Sequence, residues 1–144
     1  MTDDAFRLHL PAVVMVFAGG IAGACGRYLI SEAWPASTAT MPWSTLGINV
    51  AGAAVLGLLL EALLRAGPDV GRRRRLRLLL GAGFCGAFTT YSGFAVELAE
   101  MLRDGRPALA AGYAALALLS GMAAVAAGIL AGRSLDRQLG WSLR

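Results

Sequence analysis

Long apolar runs separated by short charged clusters dominate the pattern of the chain. Each of four runs approaches the roughly 20 consecutive apolar residues that a membrane-spanning helix needs. The pattern therefore predicts an all-α membrane protein in which residues 1–144 form a single four-helix domain. The predicted transmembrane helices are residues 11–30, 42–62, 78–101 and 107–132.

The composition supports a membrane protein and argues against other classes. The 144 residues are 57% hydrophobic, with a mean hydropathy of +0.62, which is too apolar for an ordinary soluble domain. The net charge is +4, and all 13 basic residues are arginine. These arginines flank the apolar runs instead of forming a patch interleaved with aromatic residues. We therefore expect a lipid bilayer, and no nucleic acid, as the chain's surroundings.

The arginines are distributed unevenly between the two sides of the predicted membrane. Ten lie in segments on the side that holds both termini, two lie on the opposite side, and Arg27 is within the first run. We expect the protein in the inner (plasma) membrane, and the positive-inside rule predicts that both of its termini lie in the cytoplasm. The ten are Arg7, Arg65, Arg72, Arg73, Arg74, Arg75, Arg77, Arg133, Arg137 and Arg144, and the two are Arg103 and Arg106.

The midpoint of the third run is poor material for a helix. Glycine weakens a helix, and hydroxyl side chains offer the backbone alternative hydrogen bonds. Irregular backbone at membrane depth is tolerated where it is buried in protein or lines a cavity. We therefore expect the third helix to break at mid-membrane and to provide an ion or solute site. The residues concerned are Gly83, Gly86 and Gly93, interleaved with Thr89, Thr90 and Ser92.

Polar residues inside the first two runs need a partner or a purpose, because they are costly in a membrane. Asn49 has two interpretations: an interhelical hydrogen bond, or an amide donor that faces a permeating anion. Thr45 lies four residues earlier and shares that helix face. Arg27, near the end of the first run, either reaches the headgroups or attracts anions to a vestibule.

The remaining polar positions allow similar alternatives. Tyr113 and Ser120 are seven residues apart on one face of the fourth run, where they either bond local carbonyls or form a polar track beside a pore. Glu97 follows the expected break, and we expect it at a wet mouth or bridged to an arginine. In the first run, Gly19 and Gly23 have the spacing that predicts close packing against another helix.

Three segments together resemble one known family. Gly83-Phe-Cys-Gly-Ala-Phe-Thr-Thr-Tyr-Ser-Gly-Phe94, with Glu97 after it, is similar to GFCGGLTTFSTF. Gly20-Ile-Ala-Gly-Ala-Cys-Gly-Arg-Tyr28 matches G-x-x-G-A-x-x-R-Y, and Thr45-Leu-Gly-Ile-Asn-Val-Ala-Gly52 matches T-L-x-x-N-x-x-G. These are the patterns of the small bacterial fluoride channels, the Fluc or CrcB family. Their order and spacing agree over nearly the whole chain.

The resemblance implies a channel that exports fluoride from the cytoplasm by passive conduction, and not an enzyme. It implies an antiparallel dimer of four-helix subunits with two narrow pores, each lined by both subunits. It also implies a structural sodium ion held by the backbone carbonyls of Gly86 and Thr89. The implied pore residues are Asn49, Thr90, Tyr91, Ser92, Phe94, Tyr113 and Ser120, and the implied vestibule residues are Arg27 and Glu97.

Two residues depart from the family pattern. Tyr91 stands where the family usually has Phe, and Gly93 stands where it usually has Thr.

A homodimer of this kind requires one sequence to insert in both orientations, which calls for a weak charge bias. Because ten arginines face two, we expect a heterodimer with an oppositely oriented homologue, with a homodimer as the alternative.

Two other functions stay open at this point. A small four-span proton-coupled drug exporter would rely on an acidic residue within its first span. The first run holds Arg27 and has no carboxylate before Glu32, which argues against that class. The second alternative is a non-conducting scaffold subunit, in which Asn49 and Phe94 are replaceable without loss of ion flux.

Overall fold

Four helical segments long and apolar enough to cross a membrane make up the fold. The computed structural model describes residues 10–37 and 39–139, and within these ranges the chain forms helices and no strand. The prediction of four spans is confirmed, and most of their ends lie a few residues beyond the predicted bounds. The four segments are Leu10–Ala33, Trp43–Ala66, Gly71–Arg103 and Pro107–Ser134.

The third span is a composite of several helical pieces, whereas the other three are continuous. Arg72 to Arg75, expected between spans as topology signals, form part of its first turn, since arginine is a good helix former. In chain order the elements are α1 (Leu10–Ala33), α2 (Trp43–Ala66), α3 (Gly71–Leu76), a π-helical segment (Arg77–Cys85), α4 (Gly86–Phe88), α5 (Tyr91–Arg103) and α6 (Pro107–Leu139).

The helices associate as two parallel pairs. The most extensive packing is between α2 and α6, and the next is between α1 and the π-helical segment. On α1, a methyl group at Gly19 would overlap the Leu79 carbonyl oxygen, and one at Gly23 would overlap the Phe84 carbonyl oxygen. The predicted close packing of this glycine face is therefore confirmed, with the third span as the partner.

Side-chain burial concentrates at one end of the protomer, beside the turn between α5 and α6. Leu46, Met101, Ala110 and Tyr113 form a buried cluster there, and Phe94 packs against it. Along the rest of the spans many large apolar side chains are exposed. An exposed apolar surface of this extent is what a bilayer or a second subunit covers.

Ion pairs secure the opposite end. Glu61, near the end of α2, accepts hydrogen bonds from Arg65 at 2.7 Å and from Arg133 at 3.1 Å, which ties α2 to α6. In the turn before α3, Asp69 pairs with Arg77 at 2.6 Å. The hydrogen bond from the Arg77 guanidinium holds the pKa of the Asp69 carboxyl below its usual range. Arg7 and Arg144 of the predicted charge pattern lie outside the described residues, as does the side chain of Arg137.

Candidate functional site

The third span breaks at two threonines. Thr89 (φ −78°, ψ 158°) and Thr90 (φ −141°, ψ 119°) are extended, between the end of α4 and the start of α5. The predicted break is therefore present, but glycine is not its cause. Gly83, Gly86 and Gly93 are all helical. A methyl group at Gly83 would meet the Val16 carbonyl oxygen, so that glycine serves the packing of α1.

Asn49 of α2 holds the break through its side-chain amide. Its Oδ1 accepts the Thr90 backbone N–H at 2.8 Å, and its Nδ2 donates to the Thr90 carbonyl at 3.0 Å. One carboxamide therefore satisfies both polar backbone groups of an extended residue at membrane depth. The interpretation of Asn49 as an interhelical hydrogen bond is confirmed. The amide carries a second N–H, and its role as an anion donor stays a prediction.

Two carbonyl groups are released from the helical ladder by these contacts. In an unbroken helix the Thr90 N–H would donate to the Gly86 carbonyl, but it donates to Asn49. Likewise, the Gly93 N–H would donate to the Thr89 carbonyl, but it donates to Thr90 Oγ1 at 3.0 Å. Gly86 and Thr89 are the residues whose carbonyls the sequence resemblance assigns to a cation.

Backbone oxygens are the ligands that this region offers to a cation. The described residues contain no group of three or more His, Cys, Asp or Glu side chains that could hold a metal ion. Unwound backbone in a membrane span coordinates sodium through carbonyl groups. Gly86 has open space beside it, because a methyl group built there meets nothing within 4 Å. The geometry is therefore compatible with a monovalent cation on the open side of the break.

A cleft of about 450 Å³ lies along the same side of the break. Tyr91 is 81% exposed, and its ring centroid is 6.2 Å from that of Phe94. Aromatic rings have a positive edge, so this pair can face an anion in a passage without water. Among the residues that line the cleft are Asn49, Gly86, Thr89, Thr90, Tyr91 and Phe94.

Ser92 is the predicted pore residue of the break that does not line this cleft. Its side chain is exposed, and its Oγ lies 3.3 Å from Thr90 Oγ1. Thr90 Oγ1 also accepts the N–H of Gly93, so it caps α5. The two hydroxyls therefore form a short polar edge at the start of α5, and pore contact by Ser92 stays a prediction.

Glu97 lies in the protein interior, in contrast to the expectation of a wet mouth or an arginine bridge. It is 8% exposed, and its two carboxylate oxygens accept hydrogen bonds from Thr45 Oγ1 at 2.5 Å and Tyr113 Oη at 2.6 Å. Two hydroxyl donors compensate the carboxylate where solvent does not reach it. The expected bridge to an arginine is therefore wrong, because hydroxyl groups take its place.

Tyr113 and Ser120 do not form a polar track beside the cleft in the protomer. Tyr113 is fully buried, with its hydroxyl on Glu97 and its ring 5.2 Å from Phe94. Ser120 donates to the Leu116 carbonyl at 2.5 Å, within its own helix. Neither side chain lines the cleft. The interpretation of Ser120 as a hydroxyl bonded to a local carbonyl is confirmed, whereas Tyr113 bonds a carboxylate across two helices.

Arg27 lies apart from the break, toward the end of α1. It is half-buried, and within the described ranges it makes no hydrogen bond or ion pair. A methyl group built on its neighbour Gly26 would lie 3.5 Å from the Phe88 ring, so the arginine is one residue away from the face of α1 that is turned to the third span. Headgroup contact and a vestibule role for Arg27 both stay predictions.

Gly52 is the residue of the site that the sequence reasoning missed. A methyl group at its Cα would overlap the Thr89 methyl group, so α2 touches the break at a second point. The spacing in the motif T-L-x-x-N-x-x-G could have identified Gly52. Gly52 follows Asn49 by three residues and therefore lies on the same helix face.

Comparisons with known proteins agree on one family. The model of the family described as CrcB-like protein, Camphor Resistance (CrcB), matches residues 14–129. The fluoride-specific ion channel FluC 2 of Leifsonia xyli subsp. xyli is 43% identical over 136 residues, covering 94% of this chain and 93% of the relative. The fluoride-specific ion channel FluC 1 of Cutibacterium acnes is 45% identical over 104 residues, covering 72% and 73% respectively. A FluC channel of Prosthecochloris aestuarii is 40% identical over 113 residues.

Proposed function

The chain belongs to the CrcB family, and from this membership and the geometry of the break we propose that it forms a fluoride-selective ion channel. It is an integral membrane protein with four spans. The channel conducts fluoride passively out of the cytoplasm and so reduces fluoride toxicity. Catalysis is not part of this activity.

One observation carries the proposal. Asn49 clamps the extended Thr90 backbone at 2.8 and 3.0 Å, and the cleft beside that clamp is lined by the Tyr91 and Phe94 rings. An anion that leaves water needs donors and positive ring edges fixed in advance, since their reorganisation would cost free energy. The clamp fixes the backbone from which both rings project.

A second subunit completes the passage. The cleft is open in the protomer, and Tyr91 is 81% exposed on a span, so the wall opposite it must come from elsewhere. We assign this wall to a second four-helix subunit in antiparallel orientation. The bias of ten arginines to two favours an oppositely oriented homologue over a second copy, with this chain's termini in the cytoplasm.

A structural sodium ion fits the same interface. This chain offers the Gly86 and Thr89 carbonyls that Asn49 and Thr90 release from the helical ladder, and the partner subunit would offer the corresponding pair. Two antiparallel subunits would bring two such pairs together. This chain's residues would hold the ion by backbone oxygen alone, and the ion would supply positive charge between two broken spans.

Fluoride efflux from liposomes tests the channel. The purified chain is reconstituted alone and together with an oppositely oriented homologue, and fluoride and chloride are followed with ion-selective electrodes. We expect fluoride-selective efflux that Phe94→Ile abolishes. Phe17→Ile is the matched control, because Phe17 is 70% exposed on α1 and outside the cleft lining. Absence of efflux under both conditions would refute the channel and favour a scaffold subunit.

Accessibility of terminal tags tests the orientation. A protease or membrane-impermeant label applied to intact cells and then to opened cells reports which side each tag occupies. We expect tags on both termini to be reached only after the membrane is opened. Equal populations in both orientations would instead identify a homodimer that inserts both ways.

A further inference from the structure

Gly52 and Thr89 are in direct contact where α2 crosses the break. A Cβ built on Gly52 would overlap Thr89 Cγ2 and would lie 3.4 Å from Phe88 Cδ1. The Thr89 methyl group therefore occupies the space that any side chain at residue 52 would need. This is a side-chain contact, distinct from the two hydrogen bonds that Asn49 makes with Thr90.

Thr89 is held on its other side as well. Its Oγ1 donates to the Cys85 carbonyl at 2.9 Å, and its backbone N–H donates to the same carbonyl at 3.0 Å. Because Cγ2 packs against Gly52 and Oγ1 donates to the Cys85 carbonyl, both branches of the Thr89 side chain are held and its χ1 rotamer is fixed. If a methyl group were added at residue 52, rotating the Thr89 side chain to relieve the clash at Cγ2 would break the Oγ1 hydrogen bond. Without that rotation, the clash could be relieved only by a shift of the Thr89 backbone.

We propose that Gly52 is a positioning residue for the cation site, because its missing side chain admits the Thr89 methyl group and so sets the direction of the Thr89 carbonyl. The inference rests on the proposed sodium ion at the Gly86 and Thr89 carbonyls. Gly52 itself touches no ion. A methyl group at residue 52 moves Thr89 and weakens sodium binding, while the four spans stay assembled.

The chain supplies a matched control on the same helix. Gly47 also lies in α2, and a methyl group built there meets nothing within 4 Å. Glycine to alanine raises helix propensity equally at both positions. A difference between Gly47→Ala and Gly52→Ala therefore reports the contact with Thr89 and not the general effect of losing a glycine.

The measurement is the thermal unfolding midpoint of the full-length chain purified in detergent together with its oppositely oriented partner subunit. It is made in sodium chloride and in choline chloride at equal ionic strength. A ligand that binds only the folded protein raises the midpoint. For wild type and Gly47→Ala we expect a sodium-specific rise of about 4 °C once sodium exceeds its dissociation constant about tenfold. For Gly52→Ala we expect this rise to be lost.

A double substitution makes the test specific to the two groups in contact. Thr89→Ser removes Cγ2 and keeps Oγ1, so the methyl group at residue 52 gains room while the hydrogen bond to Cys85 can form. We expect the sodium-specific rise to return in the Gly52→Ala/Thr89→Ser double variant. A general loss of stability would not be restored by shortening a second side chain.

Several results would overturn the inference. A full sodium-specific rise in Gly52→Ala, or none in the double variant, would refute the contact as its cause. If Gly52→Ala does not fold, Thr89→Ser alone decides, because it removes Cγ2 from the space beside Gly52 and keeps the hydroxyl. A full sodium-specific rise in Thr89→Ser would show that the Thr89 methyl group does not set the direction of the carbonyl. Fluoride efflux by the wild type without any sodium-specific rise would refute the cation site and support the channel. A sodium-specific rise without fluoride efflux would support the cation site and refute the channel.

Discussion

Helix α2 meets its two main neighbours by different means. Against α6, a methyl group at Gly57 or Gly128 would run into backbone atoms of Val125 or Ala54, so the contact is backbone on backbone. Against the broken third span, α2 presents the Asn49 amide and the bare Cα of Gly52. The first contact sets how closely two helices lie. The second decides where the polar groups of an interrupted helix find partners.

The two contacts of α2 should respond differently to substitution. The contact with α6 is spread over several turns, and its dispersion energy is distributed over many atoms. The contact at the break depends on a few polar atoms, and each missing partner exposes a backbone group to apolar surroundings. Each substitution along α6 should therefore lower the free energy of unfolding by a limited amount, whereas a single substitution at the break should abolish fluoride conduction.

Asn49→Leu should have the largest effect. Leucine has nearly the same shape and leaves both the N–H and the carbonyl of Thr90 without a side-chain partner. We expect fluoride efflux to be abolished and the free energy of unfolding to fall by about 2 kcal/mol. The measurements are liposome efflux and thermal unfolding in detergent.

Asn49→Asp separates the two hydrogen bonds of that clamp. The carboxylate can still accept the Thr90 N–H, but it cannot donate to the Thr90 carbonyl. Its efflux should therefore stay impaired, because the Thr90 carbonyl loses its donor. Wild-type efflux in Asn49→Leu would show that the break holds its shape without the Asn49 amide and would remove the contrast with α6.

Gly128→Ala should weaken the contact between α2 and α6. The added methyl group would overlap the Ala54 carbonyl oxygen, and neither backbone can yield without separating the helices. We expect a loss of about 1–3 kcal/mol in the free energy of unfolding, with fluoride selectivity preserved in the folded fraction. Gly121→Ala is the control on the same helix, since nothing lies within 4 Å of a methyl group there. It should be neutral or stabilising by up to about 1 kcal/mol.

The sequence allowed the spans and the break to be predicted, because both depend on local composition. Apolar runs set the spans, and the hydroxyl residues at Thr89 and Thr90 marked the break. Its polar partners could not be predicted in the same way. Glu97 was expected at a wet mouth or bridged to an arginine, but its partners are the hydroxyls of Thr45 on α2 and Tyr113 on α6. These two residues are separated from Glu97 by 52 and 16 positions in the sequence. Only the packing of three helices brings those groups together.

Tyr113→Phe tests a polar contact away from the cleft. It removes one of the two hydroxyl donors to the buried Glu97 carboxylate and leaves the ring in place against Phe94. We expect the free energy of unfolding to fall by about 1–2 kcal/mol, as measured by thermal unfolding in detergent. Tyr28→Phe, at a tyrosine that is 63% exposed, is the control and should leave stability unchanged. An equal response of the two variants would show that Glu97 does not depend on the hydroxyl of Tyr113.

Ser120→Ala should have the smallest effect of the set. The Ser120 hydroxyl bonds the Leu116 carbonyl of its own helix, a contact that does not join α6 to another element. Alanine keeps the helix and loses only this local bond, so stability should change by less than about 0.5 kcal/mol. Fluoride efflux should match that of the wild type. A severalfold drop in efflux would mean that the hydroxyl leaves its carbonyl to meet the anion, and the passage would then extend along α6 beyond the cleft at the break.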